Sequence, residues 1–165
     1  MISVASYIVN KYQTGFMHSR YIADNGMLVR LIMGHAQHTG NSAIGLLLDQ
    51  EKAYDRVYLE YLSIVLDHFG FPSTLIHCII GLFFGSKITI NMNRHLSPRI
   101  HQQRGVWQGD PLSSLLFNLA FEPLLQYILL DDEIQGYCLP QIIPYKPGPA
   151  PAKILVYMDD SLAFL

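Results

Sequence analysis

Residues 154–165 have the sequence ILVYMDDSLAFL, two apolar runs separated by Met158-Asp159-Asp160. This pattern predicts a β-hairpin in which a strand lies on each side of a tight turn. Adjacent carboxylates repel each other and resist burial, so a pair between apolar runs is costly. In a flat strand the two side chains would point to opposite faces, whereas at a turn both approach one point. The turn is therefore either an ordinary exposed hairpin tip, where Asp is common, or a functional site.

A second apolar run, AIGLLL at residues 43–48, ends at Asp49. A short continuous apolar run is typical of a central strand that is buried on both faces. If this strand is adjacent to the strand near 153–157, Asp49, Asp159 and Asp160 converge. Carboxylate oxygens are hard ligands that suit Mg²⁺. The alternative for Asp49 is an N-cap for the segment that follows it.

The rest of the chain alternates between helical and extended patterns. Residues 87–103 predict a hairpin, because 87–92 alternate apolar and polar side chains with period two. Five of the nine prolines fall in residues 140–151, which predicts an extended connector. Apolar residues at helical spacing predict helices at 59–69, 73–84 and 111–130. Residues 1–40 are also predicted to be mostly helical, with breaks at Thr14-Gly15 and Asn25-Gly26. The combination predicts an α+β fold with a small antiparallel sheet.

Composition limits the function classes. The net charge of -2 excludes a simple polycationic nucleic-acid binder. However, no acidic residue lies between Asp67 and Asp110, and this middle segment is either a phosphate-facing surface or a solvated hairpin. Two distant cysteines favour neither a disulfide framework nor a zinc site. The basic residues of the middle segment are Lys87, Arg94, Arg99 and Arg104.

Residues 111–130 are the segment most similar to a membrane span. They contain one charged residue, Glu122, and a proline, Pro123, which favours a buried core helix over a transmembrane helix. The N-terminus lacks the basic region and long apolar core of a signal peptide. These features predict an intracellular protein, nuclear or cytoplasmic, that does not use a membrane.

Three segments, taken in chain order, resemble the palm motifs of reverse transcriptases from non-LTR (LINE-type) retrotransposons. LLLDQEKAYDRV (46–57) is similar to the first motif, RGVWQGDPLSSLLFNLAFEPL (104–124) to the second, and VYMDD (156–160) to the third. QTGF (13–16), with Arg20 and Asp24-Asn25 after it, looks like the segment that precedes the first motif in that family. The third motif alone is a weak signal, whereas four matches in family order are a strong one.

The resemblance implies a role for each matching position. Asp49 and Asp159 would bind two Mg²⁺ ions, or Mn²⁺ in their place, and Asp160 would support them. Tyr54 would be an aromatic gate against the 2′-hydroxyl of a ribonucleotide, and the alternative is an ordinary core tyrosine on a helix face. The remaining substrate-binding positions would be Gln108 and Gly109, over the nucleotide and template, and Arg104, on backbone phosphate.

The family fold implied is α+β, with a palm-like antiparallel sheet and helices packed on one face. Residues 1–42 would adjoin the fingers, 43–165 would form the palm, and the thumb would be absent. The implied activity is that of an RNA-directed DNA polymerase that uses an RNA template, a DNA primer and deoxynucleoside triphosphates. We expect the chain alone to be inactive without a thumb. The alternatives are a truncated, non-enzymatic remnant and a maturase-like nucleic-acid-binding module.

Overall fold

The structure is a computed structural model that describes residues 2–140 and 148–165. Part of the predicted proline-rich connector, residues 141–147, lies outside the described residues. The chain divides into two compact units, one formed by Met1–Glu51 with Phe121–Leu165 and the other by Lys52–Ala120. In chain order the elements are α1 (Ile2–Ile8), α2 (Ile22–Thr39), β1 (Gly45–Leu48), a 3₁₀ turn (Ala53–Arg56), α3 (Leu59–His68), α4 (Ser73–Phe84), β2 (Lys87–Ile88), β3 (Asn91–Met92), β4 (His95–Leu96), β5 (Ile100–His101), α5 (Pro111–Leu130), β6 (Ile154–Tyr157) and β7 (Asp160–Phe164).

The first unit is organised around a three-stranded antiparallel sheet with the strand order β1-β7-β6. The predicted hairpin of residues 154–165 is present as β6 and β7. The expectation that the strand ending at Asp49 is adjacent to the strand near 153–157 was wrong, because β7 lies between β1 and β6. The return strand of a hairpin stays paired with its partner, so its other edge is the one that accepts β1.

The prediction that residues 43–48 form a central strand buried on both faces was also wrong. β1 is an edge strand, and Leu46, Leu47 and Leu48 are 43%, 80% and 47% exposed. An apolar run indicates that a strand favours burial, but it does not say which surface covers it. The opposite edge strand is different, because Ile154, Leu155 and Val156 are all buried.

Helix α2 packs against one face of this sheet. Ile32 from α2 belongs to a buried cluster with Leu155 and Phe164 from the strands. The expected break at Asn25-Gly26 was wrong, because α2 runs through both residues. The Asn25 side chain does not form a turn there. Its amide donates instead to Thr14 Oγ1 at 3.0 Å and to Val156 O at 3.1 Å.

The second unit contains α3 and α4, at the positions that the apolar spacing predicted, and the predicted hairpin. The hairpin consists of two short ladders, β2 with β5 and β3 with β4. Lys87 pairs with His101 and Met92 pairs with His95, so the register shifts by one residue between the two ladders. The strand residues of this hairpin are exposed.

Helix α5 begins at Pro111, as predicted, and Asp110 caps it by accepting the Leu112 N–H at 2.8 Å. Within the described part of the chain, α5 is the one helix long and apolar enough to cross a membrane. Its side chains favour the core-helix interpretation, because Leu116, Asn118 and Glu122 are fully buried in the protein.

Candidate active site

The three aspartates predicted to be catalytic lie at one end of the sheet in the first unit. Leu48 of β1 pairs with Ser161 of β7. Continuing the antiparallel register by one residue sets Asp49 opposite Asp160. Asp159 lies in the turn that joins β6 to β7, and Asp49 and Asp160 are exposed whereas Asp159 is half-buried. The sequence prediction that these residues share one end of a sheet is therefore consistent with the register, although the strand order differs from the expected one.

The turn itself has an unusual backbone. Met158 has φ of 59°, in the left-handed region, and its side chain is buried. A residue with a Cβ atom disfavours this conformation, which is why glycine or asparagine usually occupies it. The surrounding structure must therefore hold the turn in place.

The holding contacts come from residues 12–15. Gln13 is 0% exposed, and its side-chain amide donates to Met158 O at 3.1 Å while its Oε1 accepts the Met158 N–H at 2.8 Å. The backbone of the same segment pairs with β6, through Thr14 N to Val156 O at 2.9 Å and Val156 N to Tyr12 O at 3.0 Å. In the sequence, Gln13 was only part of the QTGF segment and had no predicted role. Its neighbours Tyr12, Thr14 and Gly15 gave no signal that this side chain is buried.

The donor set is suited to a hard divalent cation. Among residues 2–140 and 148–165, no group of three or more His, Cys, Asp or Glu side chains is arranged to hold a metal ion. Mg²⁺ does not require such a cage, because it is commonly bound by one or two carboxylates while water and substrate phosphates fill the other positions. The exposed carboxylates of Asp49 and Asp160 at this end of the sheet therefore fit Mg²⁺.

The other predicted site residues lie in the second unit. Tyr54 is in the 3₁₀ turn, not on an α-helix face as the core-tyrosine alternative assumed. Its ring is stacked on Phe117, with centroids 5.1 Å apart and planes 10° apart. Its hydroxyl donates to Ser114 Oγ at 3.2 Å. The ring is thus half-buried and held in one orientation.

Arg104, Gln108 and Gly109 are exposed. Arg104 Nη1 donates to the Tyr58 hydroxyl at 3.1 Å, and its guanidinium lies 5.8 Å from the centre of that ring. Gly109 has φ of 94°, a conformation that L side chains rarely adopt, which explains the glycine after Gln108.

Glu122 is a buried ionisable group. In the sequence it served only as evidence against a transmembrane helix. It is 0% exposed, and it accepts the Asn10 N–H at 2.8 Å and a Gln126 amide proton at 3.1 Å. Burial raises the pKa of the Glu122 carboxyl, and the two hydrogen bonds and the charge of Arg20 oppose this rise. The signal in the sequence was a lone glutamate inside an apolar helix.

Comparison with known proteins identifies the family. Residues 2–165 match the family described as reverse transcriptase (RNA-dependent DNA polymerase), so the chain belongs to the reverse transcriptase family. A protein from transposon TX1 of Xenopus laevis is 34% identical over 137 residues, which is 83% of this chain and 10% of that protein. The Pol polyprotein of the R2DM retrotransposable element of Drosophila melanogaster is 30% identical over 152 residues, which is 92% of this chain and 13% of that protein.

These relatives confirm the resemblance to non-LTR retrotransposon reverse transcriptases. The chain spans 10% and 13% of the length of these two relatives. Two solved telomerase structures confirm the fold: that from Candida albicans, in complex with a fragment of telomeric RNA, has a TM-score of 0.63 at 12% identity, over 99% of this chain and 29% of that chain. Apo telomerase from Candida tropicalis has a TM-score of 0.58 at 11% identity, over 87% of this chain and 28% of that chain. The predicted α+β class with a palm-like antiparallel sheet is therefore confirmed.

Proposed function

We propose that this chain carries the catalytic centre of an RNA-directed DNA polymerase that extends a DNA primer on an RNA template. The main support is the register of β1 and β7, in which Leu48 pairs with Ser161, so that extension by one residue would set Asp49 opposite Asp160. Family membership supports the reaction class. The substrates are deoxynucleoside triphosphates, with the RNA template and the DNA primer as nucleic-acid partners.

Asp49 and Asp159 would hold two Mg²⁺ ions, or Mn²⁺ in their place, and Asp160 would support this site. A pair of such ions supplies activation of an attacking hydroxyl and stabilisation of a leaving pyrophosphate. The exposure of Asp49 and Asp160 favours this role, because both carboxylates are accessible to an incoming metal ion.

Tyr54 acts as the gate that rejects ribonucleotides. A steric gate must not yield when an extra oxygen presses on it. The stacking on Phe117 and the hydrogen bond to Ser114 restrain the Tyr54 ring at its face and at its tip. A 2′-hydroxyl would clash sterically with this ring, because the ring cannot rotate to make room for it.

Arg104, Gln108 and Gly109 bind the nucleotide and the nucleic-acid backbone. A guanidinium has five N–H donors in a fixed fork, so the contact of Arg104 with Tyr58 is compatible with a second contact to phosphate. Gln108 presents an exposed side chain, and the absence of a Cβ at Gly109 lets a ligand approach its backbone closely.

Primer extension on an RNA template with Mg²⁺ tests this function. The assay compares the 165-residue chain, the same chain joined to fingers and thumb segments of a related enzyme, and the variants Asp159→Ala and Asp67→Ala of each. Asp67 is the matched control, an exposed carboxylate on α3. We expect synthesis by the joined protein and its Asp67→Ala variant, and none by Asp159→Ala. The 165-residue chain alone should be inactive, because we expect it not to hold the primer and template in place. A misplacement of the reacting groups by about 1 Å costs roughly a hundredfold in rate.

Synthesis that survives Asp159→Ala would disprove the catalytic assignment. Robust synthesis by the short chain that Asp159→Ala abolishes would instead disprove the expected inactivity of the chain alone.

A maturase-like binding module is the second candidate function. Its support is the exposed hairpin of residues 87–101, which carries basic side chains and lies in a stretch without acidic residues. Such a module would bind RNA with equal affinity in the wild type and in Asp159→Ala, and the joined protein would make no DNA. A non-enzymatic remnant would show neither RNA binding nor synthesis.

A further inference from the structure

The turn that carries Asp159 is not stable by its own conformational preference. Met158 precedes Asp159 and has φ of 59°, which a residue with a Cβ atom disfavours. The same turn presents neighbouring carboxylates, which repel each other. Both effects favour relaxation of the turn, so its geometry depends on contacts from elsewhere in the first unit.

The Gln13 side chain provides those contacts. It is fully buried, and its amide pairs with the Met158 backbone at both polar atoms, as a neighbouring strand would. Oε1 also accepts the Gly15 N–H at 2.9 Å, so a second hydrogen bond, from the segment that carries Gln13, restrains the side-chain amide. A two-point pair resists both rotation and translation of the Met158 peptide groups.

The chain approaches the turn closely on the same side. A Cβ added at Gly15 would lie 2.6 Å from Met158 N and 2.6 Å from Met158 Cγ, closer than protein Cβ atoms come to other atoms. The parallel bridge between Gln13 and Val156 continues this close packing along β6. The segment 12–15 is therefore built to touch the turn backbone directly.

The geometry points to Gln13 as a positioning residue of the catalytic turn: its side-chain amide fixes the Met158 backbone and thereby the direction of the Asp159 carboxylate. This inference rests on the proposed polymerase function for its catalytic consequence. Gln13 itself has no contact with substrate in this role.

Amide hydrogen exchange of the 165-residue chain, followed by NMR, tests the contact without any need for activity. The variants are Gln13→Leu and the matched control Thr14→Val, which removes the bonds that Thr14 Oγ1 makes to Val156 O and to the Asn25 amide but no bond to the turn. We expect Gln13→Leu to lower the protection of the Met158 amide at least about tenfold, since its acceptor is lost. The Val156 amide, bonded to Tyr12 O, should stay protected.

Unchanged protection of Met158 in Gln13→Leu would overturn the inference. If Gln13→Leu loses protection throughout the chain, Gln13→Glu gives the decisive comparison. It keeps an acceptor for Met158 N, and it replaces the Nε2 donor with an oxygen that faces Met158 O. Selective loss of protection at residues 157–160 would support the inference, and loss no greater than in Thr14→Val would overturn it.

Primer extension by the joined protein tests the catalytic consequence. Gln13→Glu and Gly15→Ala should lower kcat and raise the half-saturating Mg²⁺ concentration several-fold, with RNA affinity unchanged. Thr14→Val should shift neither. Equal shifts in Thr14→Val and Gln13→Glu would reduce Gln13 to a general structural role. Synthesis that survives Asp159→Ala would refute the proposed function instead. The hydrogen-exchange result at Met158 would still test the Gln13 contact, because it does not depend on activity.

Discussion

Extending the register of β1 and β7 by one residue sets Asp49 opposite Asp160, which predicts that the proposed metal site lowers stability when no metal ion is bound. Residues directly opposite in an antiparallel pair have Cβ atoms about 4.5–5.5 Å apart, which sets the scale for the separation of their side-chain charges. Two unit charges about 5 Å apart repel by about 0.8 kcal/mol in water. Both side chains are exposed, and like charges across strands cost about 0.2–1 kcal/mol. We therefore expect Asp160→Asn to raise the free energy of unfolding by about 0.5 kcal/mol without divalent ions.

Addition of Mg²⁺ should reverse this order. A ligand that binds only the folded state at about ten times its Kd stabilises that state by about 1.4 kcal/mol. The wild type should gain this stability. Asp160→Asn and Asp49→Asn should gain less, because each lacks a carboxylate of the site. The wild type would then be the less stable protein without Mg²⁺ and the more stable one with it.

Urea denaturation followed by circular dichroism, with and without MgCl₂ at matched ionic strength, measures both effects. Asp67→Asn on α3 is the control, and it should change neither the stability nor its dependence on Mg²⁺. If Asp160→Asn lowers stability in metal-free buffer, the like-charge argument is wrong. If Mg²⁺ stabilises the wild type and Asp49→Asn equally, these aspartates do not form the metal site.

Three further predictions address the rest of the molecule. Tyr54→Ala should raise ribonucleotide incorporation by the joined protein, whereas Tyr54→Phe, which keeps the ring stacked on Phe117, should not; unchanged discrimination in Tyr54→Ala would remove the gate assignment. Arg99→Ala should reduce the slope of log affinity for RNA against log salt by about 1, measured by fluorescence anisotropy, if the hairpin contacts phosphate. Because burial raises the pKa of Glu122, its contribution to stability is present below pH 4.5 and is lost as the pH rises through the folded pKa. As the pH rises, the free energy of unfolding of the wild type, measured in urea titrations, should therefore fall relative to that of Glu122→Gln. A difference between the two proteins that does not change with pH would contradict this prediction.

Local signals in the sequence were sufficient for most of the elements. Two apolar runs around a turn located the hairpin of residues 154–165, and helical spacing located α3 and α4, because each of these elements follows its own apolar pattern. Asp110-Pro111 correctly marked the start of α5, where a side-chain cap and a fixed φ act within one turn.

Long-range arrangement was less predictable. The apolar run before Asp49 gave the strand but not its position at the sheet edge, because strand order depends on partners far away in sequence. Asn25-Gly26 resembled a turn, yet the Asn25 side chain found partners at Thr14 and Val156, and the helix continued. In both cases tertiary contacts outweighed a correct local preference.

The buried groups around residues 10–13 explain how the carboxylate turn is held. Arg20 donates to the backbone carbonyls of Asn10 and Gln13, the latter at 2.9 Å. The Asn10 N–H in turn donates to the buried Glu122 carboxylate at 2.8 Å. A buried polar group left without its partner costs about 1–3 kcal/mol. The backbone that carries Gln13 therefore has one strongly preferred position.

The Gln13 side chain connects that backbone to the turn at Met158. The turn at Met158 is conformationally unfavourable and carries carboxylates that repel each other, so its own energetics favour relaxation. The Gln13 amide opposes this relaxation at both polar atoms of Met158. The buried Glu122 anchors the backbone at Asn10, so the restraint on Met158 rests on contacts that do not involve Asp159. The turn of the proposed catalytic site would in this way keep its backbone geometry without a bound metal ion or nucleotide.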